Sequence, residues 1–445
     1  MAQEPIVEEV VDQKGPGGTG LYMRLSGMMY LQFAVWGAWA VMIAIHMTNL
    51  KFTGFQIGLV FGTTAFGALI SPIVGGWLAD RLMPSQYFAA ICHFLGAVPL
   101  VIAWNQTEFW PLWGCILAHA VLYMPTIALT NTIAFHHMGD SEKFGNIRVW
   151  GTIGWICVQV FLGIYVEAWH KTNPEISHAG DCLLIAAVMG VMMGAYCLTL
   201  PNTPPAKEAK NPYAFLEALK LMSDRNFAVI LVISFIVGIE LPFYYNLTPV
   251  FFSDGVTGVG LSEGQAQLAQ VLGQVGEVGL MVLLWPCIKK FGMRTTIFLG
   301  ILGWPVRYAI FAIGQPTSLV IAAQTLHGIC YSFFFVGGMI AIERLAHKDI
   351  RASAQGLLVF ATNGLGMLIG HFASGSIHDF FKVTVDGQEG WDWPKIFMVP
   401  IAITILAGIA FVIMFKEKAF RDRAKQVEIE DGEVQVEELA TGFPE

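Results

Sequence analysis

A cation stands at the start of an apolar stretch, IRVWGTIGWICVQVF, at residues 147–161. If this stretch is a helix, residues three or four positions apart lie on the same face. Four polar or aromatic side chains then form one row: Arg148, Thr152, Trp155 and Gln159. A guanidinium, a hydroxyl, an indole and an amide in one row can bind a polar ligand, which a purely apolar helix face cannot.

A second polar row lies in LSEGQAQLAQVLGQVGEVGL, at residues 261–280. Its members recur every three or four positions: Glu263, Gln267, Gln270, Gln274 and Glu277. Any one glutamine could equally serve hydrogen bonding between helices, but five residues in register favour a water-lined wall. Glu277 lies deepest in the stretch. Because burial disfavours the charged form of a carboxyl group, Glu277 is the strongest candidate for a residue that binds and releases a proton.

Other apolar stretches combine aromatic rings with amides, hydroxyls or ionisable groups. Read as helices, they bring together Gln32, Trp36 and Trp39; Tyr123, Thr126 and Thr130; His327, Tyr331 and Phe334; and Glu240 with Tyr244, on either side of Pro242. The proline is expected to break its helix locally. A single aromatic ring in a span more often packs against neighbouring helices than binds a ligand. Together with the amides, the rings predict a pocket for a planar, uncharged, polar molecule, because rings stack on its faces and amides read its edges.

The composition places these helices in a lipid bilayer. Of the 445 residues, 55% are hydrophobic and 13% are charged, which is more apolar surface than a water-soluble chain can bury. Apolar runs of about 20 residues, the length needed to cross a bilayer, recur along the chain. We predict twelve spans: 28–47, 55–79, 87–104, 110–135, 149–166, 182–200, 227–252, 268–288, 295–313, 319–342, 356–377 and 396–415.

The distribution of lysine and arginine predicts the orientation. With the N-terminus in the cytoplasm, 20 of the 25 Lys and Arg residues fall on the cytoplasmic side, four fall outside and one, Arg307, lies within a span. Because cytoplasmic loops carry the excess of cations, we predict that both ends of the chain are cytoplasmic. The net charge of −8 comes largely from acidic termini and carries no information about a substrate.

A polar interruption divides the spans into two groups of six. It begins with prolines, in PNTPPAKEAKNPYAFLEALKLMSDRN, and continues as a short amphipathic helix on the cytoplasmic surface. We predict a cytoplasmic tail at 1–27, six-helix halves at 28–200 and 227–415, this linker at 201–226, and an acidic cytoplasmic tail at 416–445. Two six-helix halves around a central cavity are the layout of the major facilitator fold, an all-α membrane fold.

The string GGWLADR, at residues 75–81, resembles the loop between the second and third helices of that superfamily. In this loop an acid and an arginine fix a contact between helices. The resemblance therefore assigns Asp80 and Arg81 to gating rather than to binding. The basic residues that follow in the superfamily are missing here, since LMPSQ comes next.

Catalytic or metal chemistry has no clear signature in this sequence. The seven cysteines form no CxxC pair, and the adjacent His136 and His137 lack the repeated spacing of a di-metal site. No nucleotide-binding loop or nucleophile constellation is present. We therefore predict a carrier that is not an enzyme, uses no cofactor, holds no metal and binds no nucleic acid.

Seven strings resemble, in order, the nucleoside:proton symporter family of the major facilitator superfamily. They are LQFAVWGAW, NLKFTGFQIG, AICHFLGA, YMPTIALTNTI, IRVWGTIGW, WPVRYAIFAIG and RASAQGLLVFATNGLGMLIG, within a similarity from Leu31 to about Phe415. The resemblance implies twelve helices and proton-driven uptake of nucleosides across a bacterial inner membrane by alternating access. The expected partners are a nucleoside, a proton and the lipid bilayer, with a single chain functional as a monomer.

The resemblance also assigns site residues. The family's cavity arginine and threonine match Arg148 and Thr152, and its stacking phenylalanine is replaced by Trp155. The amide and the acid of its eighth helix match Gln274 and Glu277. To these substrate-binding candidates we add Gln32, from the aromatic face of the first span.

The C-terminal half departs from the family pattern. A glutamine and an asparagine of the seventh helix fall on Pro242 and Tyr245. On the tenth helix, the expected tyrosine and phenylalanine are His327 and Tyr331, and the acid beside them is Ser332. These differences affect the preference for the base and the residue that couples transport to protons, while Tyr245, His327 and Tyr331 remain substrate-binding candidates.

Because a serine does not titrate in this range, proton coupling must rest on another group. The intramembrane candidates are Glu277, Glu240 and His327, with Arg148 and Arg307 as counter-charges. Glu277 is preferred because it ends a polar row and because the family has an acid on that helix. Three alternatives stay open: a carrier of the same fold for another polar uncharged substrate such as a sugar, an uncoupled nucleoside facilitator, and a membrane enzyme or sensor.

Overall fold

The computed structural model describes residues 19–71, 83–138, 141–204, 214–348 and 350–432. Within these ranges, nine helices are long and apolar enough to cross a membrane. One of the nine, Glu263–Ile313, has 51 residues and is long enough to cross twice. Two shorter apolar helices, Gly54–Ser71 and Asp181–Cys197, complete the twelve predicted spans. We number the spans α1 to α12 in chain order.

The N-terminal half contains α1 to α6. Its first span is divided by a short break into Thr19–Trp39 and Met42–Asn49. The other five spans are continuous helices: α2 at Gly54–Ser71, α3 at Ser85–Trp104, α4 at Phe109–Met138, α5 at Ser141–Thr172 and α6 at Asp181–Cys197.

The C-terminal half contains α7 to α12, and three of its spans change helical type along their length. Span α7 is α-helical at Arg225–Pro242, π-helical at Phe243–Leu247 and α-helical at Thr248–Ser253. Span α10 runs through Thr317–Ala322, a 3₁₀ turn at Ala323–Thr325, Leu326–Ile329, a π segment at Cys330–Val336 and Gly337–Leu345. Span α11 comprises Arg351–Val359, a π segment at Phe360–Gly366 and Met367–Phe380, and α12 is Trp393–Met414.

The eighth and ninth spans are joined by a bend rather than by the predicted loop. Gly292 has φ 82°, a left-handed value that favours glycine because it has no Cβ atom. Residues 263–291 therefore form α8 and residues 293–313 form α9. The backbone N–H groups of Met293 and Arg294 donate to the carboxylate of Glu417, which fixes the bend.

The two ends of the helix bundle differ in the connecting segments that lie there. We call the end with the loop between α11 and α12 the hairpin end, since this loop forms two antiparallel strands, β1 at Lys382–Val385 and β2 at Gln388–Trp391. Asp386 and Gly387 connect the strands with positive φ values, as an Asp-Gly turn of this kind requires. The hairpin is a small addition to the predicted all-α fold.

The opposite end, which we call the linker end, carries the connection between the halves. Within the predicted linker, Ala214–Ser223 forms a 3₁₀ helix. After α12, Glu417–Glu430 forms a further helix, α13, which buries Phe420 and Val427. Asp431 then accepts a hydrogen bond from Arg351 at 3.1 Å. Residues 417–432 are therefore packed on the bundle.

Candidate functional site

Arg148 is held on α5 by an aromatic ring of α1. Its guanidinium carbon lies 3.8 Å above the centre of the Phe33 ring. Gly151 makes this approach possible, because a Cβ atom there would lie 2.6 Å from Phe33 and 2.7 Å from Arg148. Arg148 is half-buried, and no ion pair holds it within the described residues. A cation stabilised by a ring face keeps its N–H groups free for a ligand.

The ring of Trp155 lies about two turns along α5 from Arg148. It packs edge-on against Trp36 of α1, with ring centres 5.5 Å apart and planes at 85°. Trp36 in turn lies 6.2 Å from Tyr123 of α4. Thr152, between Arg148 and Trp155, is half-buried. Three members of the predicted row on α5 therefore form a wall of a guanidinium, a hydroxyl and a supported indole, whereas the fourth, Gln159, is 1% exposed and buried between helices.

Gln32 is not part of this wall. Its side chain has 0% exposure, its Nε2 donates to Thr126 at 2.8 Å, and its Oε1 lies 2.9 Å from Nε2 of His93. Tyr123 donates to the backbone oxygen of Gln32 at 2.6 Å. These four residues form what we call the Gln32 network. Because both polar atoms of its side chain are hydrogen-bonded inside the N-terminal half, the structure does not support Gln32 as a substrate ligand in this conformation.

Two histidines that were not among the predicted site residues belong to this region. His93 completes the network, and the ring of His119 stacks on Tyr123 with centres 5.5 Å apart. Nδ1 of His119 lies 2.9 Å from the backbone oxygen of Gly96. His119 shares its face of α4 with Tyr123 and Thr126, four and seven positions further along, and His93 shares its face of α3 with Gln86, seven positions before it. A buried histidine needs a hydrogen-bond partner. Amides on neighbouring spans were therefore the sequence feature that could have identified these two residues.

The C-terminal half supplies Gln274 and Glu277 from α8, Tyr245 from α7 and Tyr331 from α10. The close approach of α8 and α10 depends on glycine, since a Cβ atom at Gly328 would lie 2.2 Å from the backbone oxygen of Gly276. Glu277, Tyr245 and Tyr331 are half-buried and Gln274 has 9% exposure. No other described side chain is hydrogen-bonded to theirs. Their free polar groups form a second wall.

Arg148 and Glu277 are charges of opposite sign on opposite halves. Each acts electrostatically on the other, and Glu277 also acts on Tyr244, Tyr245 and Tyr331. The described residues show no direct ion pair between the two. A polar molecule that bridges the halves can therefore contact both charges.

The rest of the α8 row does not line this site. Glu263 accepts hydrogen bonds from Asn49 at 2.6 Å and from Ser177 at 2.7 Å, which joins it to the N-terminal half. Gln270 accepts from Gln324 of α10 at 3.0 Å, and Gln267 has 0% exposure. The interpretation of all five residues as a water-lined wall is therefore wrong for Gln267 and Gln270, which are buried between helices.

His327 is fully buried behind the second wall. Its ring stacks on Tyr244 with centres 4.5 Å apart, and its Nδ1 lies 3.2 Å from Nη1 of Arg307. Because a guanidinium only donates, Nδ1 must accept and the proton of the neutral ring lies on Nε2. A second proton would break this bond and place two cations in contact. The geometry therefore disfavours His327 as the proton carrier.

Glu240 lies in the same buried region. It accepts a hydrogen bond from Tyr308 of α9, and the guanidinium carbon of Arg307 lies 4.2 Å above the ring of Tyr244. We call Glu240, Tyr244, Arg307, Tyr308 and His327 the Glu240 cluster. Each of its five side chains is 0–1% exposed. The cluster therefore lies inside the C-terminal half, and its residues do not face the space between the halves.

The two halves are joined at the hairpin end. The carboxylate of Asp379, on α11, accepts from the backbone N–H groups of Gly54 and Phe55 at 2.6 and 2.8 Å and so caps α2. Glu167 of α5 accepts from Ser262 at the start of α8. A cavity of about 760 Å³ lies at these contacts, and its lining includes Gly54, Asp379, Ser262 and Trp391 of β2. Because the halves are tied here, the hairpin end is closed.

The gating candidates Asp80 and Arg81 lie outside the described residues. Among the residues that the structure does describe, no three His, Cys, Asp or Glu side chains are grouped as a metal site requires. Ser332 is buried and donates to the backbone oxygen of Glu277 at 3.3 Å, so it supports α8 beside the site.

Sequence comparisons identify the family. A family profile described as Nucleoside H+ symporter matches residues 19–420. The putative nucleoside transporter YegT of Escherichia coli (strain K12) is 32% identical over 406 residues, which cover 88% of this chain and 93% of that protein. The nucleoside permease NupG of the same strain is 28% identical over 420 residues, covering 90% and 97%. The xanthosine permease of that strain is also 28% identical, over 412 residues, covering 88% and 96%.

Comparisons with solved structures agree with the sequence comparisons. The crystal structure of nucleoside transporter NupG superposes with a TM-score of 0.77 at 27% identity, covering 89% of this chain and 99% of that one. A D-xylose-proton symporter superposes with a TM-score of 0.66 at 13% identity, covering 89% and 98%. At this low identity the second match concerns the fold alone. Together the matches confirm the predicted major facilitator fold.

Proposed function

This chain belongs to the Nucleoside H+ symporter family of membrane transporters, whose profile covers residues 19–420, and we propose that it imports nucleosides across a bacterial inner membrane together with protons. The chain is a transporter and not an enzyme. In this proposal the two halves expose the site between them alternately to the two sides of the membrane, and one chain is sufficient for transport.

The observation that carries the proposal is the pair of unlike walls between the halves. Trp155 offers an aromatic face on which a nucleobase can stack. Gln274 is an amide with free donor and acceptor groups, which suits the edge of a base, and Arg148 donates to base or ribose oxygens. The family's relatives that carry nucleoside names support this choice of substrate.

Glu277 is proposed as the residue that couples nucleoside and proton. It lies on the half opposite Arg148, and the two act electrostatically on each other. When Glu277 is ionised, it attracts Arg148. When Glu277 is protonated, that attraction is lost and Arg148 is free to bind the substrate, so the proton and the nucleoside affect the same group.

The proposed orientation places the hairpin end outside the cell and the linker end in the cytoplasm. It rests on the cation distribution, because Lys51, Lys171, Lys382 and Lys395 are the four Lys or Arg residues that the topology assigns to the outer side. In this orientation the structure has its outer end closed. The site is then reached from the cytoplasmic side.

Counterflow in proteoliposomes tests the function. Vesicles loaded with an unlabelled nucleoside are expected to accumulate the same labelled nucleoside, and vesicles loaded with xylose are not expected to accumulate labelled xylose. Xylose counterflow without nucleoside counterflow would instead identify a sugar carrier. Nucleoside counterflow combined with uptake that ignores a protonophore would identify an uncoupled facilitator.

A further inference from the structure

Glu240 occupies an unusual position for a carboxyl group. It has 0% exposure and lies two residues before Pro242, where α7 changes from α-helix to the π segment Phe243–Leu247. One carboxyl oxygen accepts the hydrogen bond from Tyr308. The other oxygen, Oε2, has no partner among the described residues. A buried acid at a helix break, with one free oxygen, can bind a proton without disturbing the bond it already makes.

Arg307 is the cation beside it. The side chain has 0% exposure, and Nη1 bonds His327 at 3.2 Å, while Nε and Nη2 have no acceptor in the described part of the chain. Its guanidinium carbon lies 4.2 Å from the ring centre of Tyr244 and 5.1 Å from that of Tyr308. A guanidinium keeps its charge at any physiological pH, so a buried one requires a compensating anion.

Glu240 is that anion. Glu240 and Arg307 act electrostatically on each other, although the structure shows no direct ion pair between them. Arg307 is neutralised when Glu240 is ionised, and it stands uncompensated when Glu240 is protonated. The charge of the cluster therefore depends on one residue.

The remaining titratable neighbours do not take this role. On α9, Tyr308 donates its hydroxyl proton to Glu240. On α10, Nδ1 of His327 accepts from Arg307, and Cys330 carries a buried thiol. On α11, His371 is bonded to Asn246 at 3.1 Å. The sequence of α12 contains one charged residue, Lys395, at its hairpin end. Glu277 of α8 acts on Tyr244 from the side of the substrate site.

We propose that Glu240 is a second proton-binding residue of this transporter, placed inside the C-terminal half with Arg307 as its fixed counter-ion. The proposal rests on the proposed function in one respect, namely that transport is coupled to protons. It adds a site that lies behind the substrate cavity and joins α7, α9 and α10. The chain lacks an acid at Ser332, and Glu240 supplies a carboxyl group elsewhere in the same half.

Tyr244 connects this site to the substrate wall. A Cβ atom at Gly273 would lie 2.6 Å from the Tyr244 hydroxyl oxygen, so Tyr244 packs against α8 one residue before Gln274. The opposite contacts of the Tyr244 ring are Arg307 and His327. Protonation of Glu240 leaves its bond to Tyr308 in place but removes its attraction to Arg307 of α9. The resulting shift of Arg307 reaches Gln274 through Tyr244.

Infrared difference spectroscopy of the full-length protein in lipid tests the proposal without transport. The carbonyl stretch of a protonated carboxylic acid is recorded as the pH is changed. We expect one component to titrate in the wild type, to be absent in Glu240→Gln and to remain in Glu277→Gln. Glu175→Gln, which changes an exposed carboxylate at the hairpin end, is the matched control and should leave it unchanged. A spectrum of Glu240→Gln identical to that of the wild type at every pH overturns the proposal.

A charge-neutral double variant covers the case in which Glu240→Gln fails to fold because Arg307 is left alone. Glu240→Gln combined with Arg307→Gln removes both charges and should be recovered at wild-type amounts, without the titrating component. Arg307→Gln alone should keep Glu240 protonated, so the component is present but no longer changes with pH. A component that still titrates normally in Arg307→Gln shows that Arg307 is not the counter-ion and contradicts the proposal.

Transport then separates this inference from the proposed function. Glu240→Gln should retain nucleoside exchange within about twofold of the wild type and lose at least about tenfold in proton-driven accumulation, since tenfold corresponds to about 1.4 kcal/mol. Proton-driven accumulation at the wild-type level in Glu240→Gln refutes the role of Glu240 and leaves the proposed function intact. Absence of nucleoside counterflow in the wild type refutes the proposed function, while the infrared titration still reports on Glu240.

Discussion

The two halves contain buried polar clusters of opposite character. In the Gln32 network of the N-terminal half, the Gln32 amide bonds both Thr126 and His93. In the Glu240 cluster of the C-terminal half, Glu240 Oε2 and two nitrogens of Arg307 have no partner among the described residues. A satisfied network rigidifies its surroundings, whereas a partly satisfied one can exchange partners at lower cost.

The helices of the two halves also differ in their regularity. All three π segments of the described chain, Phe243–Leu247, Cys330–Val336 and Phe360–Gly366, belong to the C-terminal half. Such segments interrupt the regular hydrogen bonding of a helix and occur frequently at functional sites. In the proposed function, the Gln32 network therefore holds the helices of the N-terminal half in place, and the C-terminal half contains the groups that we propose to change charge.

The largest expected effect concerns the walls themselves, where both halves must contribute. Arg148→Ala and Gln274→Ala should each abolish uptake while leaving membrane insertion intact. Loss of a polar partner in a buried site costs about one to a few kcal/mol, or roughly tenfold to a hundredfold in affinity. The measurement is uptake of labelled nucleoside at matched expression, with the exposed Lys425→Ala as the control. Wild-type uptake in both variants would remove the assignment of the site.

Glu277→Gln sharpens the contrast between binding and coupling. The amide keeps the size and hydrogen bonding of the acid but cannot exchange a proton at this pH. Concentrative uptake should be lost, whereas exchange of nucleoside across the membrane should persist. Both are measured in proteoliposomes, with and without a protonophore. If accumulation persists in Glu277→Gln, the coupling proton does not depend on Glu277.

Trp155 tests whether the N-terminal wall binds through its ring face. Trp155→Phe keeps an aromatic face and should lower affinity less than Trp155→Ala, which removes it, by about 0.5–1.5 kcal/mol. Competition binding with a labelled nucleoside measures the difference. Equal losses in the two variants would mean that Trp155 serves packing against Trp36 rather than contact with the ligand.

The smallest effect on binding is expected in the Gln32 network. Gln32→Leu leaves Thr126 and His93 without their partner, so it should lower the stability of the protein by about 1–3 kcal/mol and leave nucleoside affinity within about twofold. Thermal unfolding and binding are measured on the same purified sample, with Gln274→Leu as the matched variant on the opposite wall. The reverse result, normal stability with lost affinity, would restore Gln32 as a ligand.

The sequence predicted the spans well, because hydrophobic length is a local property. It predicted less well which polar residues face the site. Gln32 and Gln270 share helix faces with true candidates, yet both are hydrogen-bonded to neighbouring helices. The rotation of a helix against its neighbours decides this, and it depends on close approaches such as that of Gly328 to Gly276. Such contacts are not encoded in any single span.

Interactions between segments that are distant in the chain could not be predicted from the sequence either. The closure of the hairpin end depends on Asp379, which caps α2 from the other half of the chain. The bend at Gly292 depends on Glu417, more than a hundred residues further along. Both are polar contacts between surface segments, and neither residue type nor spacing within one segment indicates such a partner.

Proton movement during nucleoside transport tests the proposed coupling on the unmodified protein. Wild-type protein is reconstituted into vesicles that contain a pH-sensitive dye, and a nucleoside is added outside in the absence of a pH gradient. Coupled transport predicts acidification of the vesicle interior on addition of the nucleoside and none on addition of xylose. Nucleoside entry that leaves the internal pH unchanged would contradict the account.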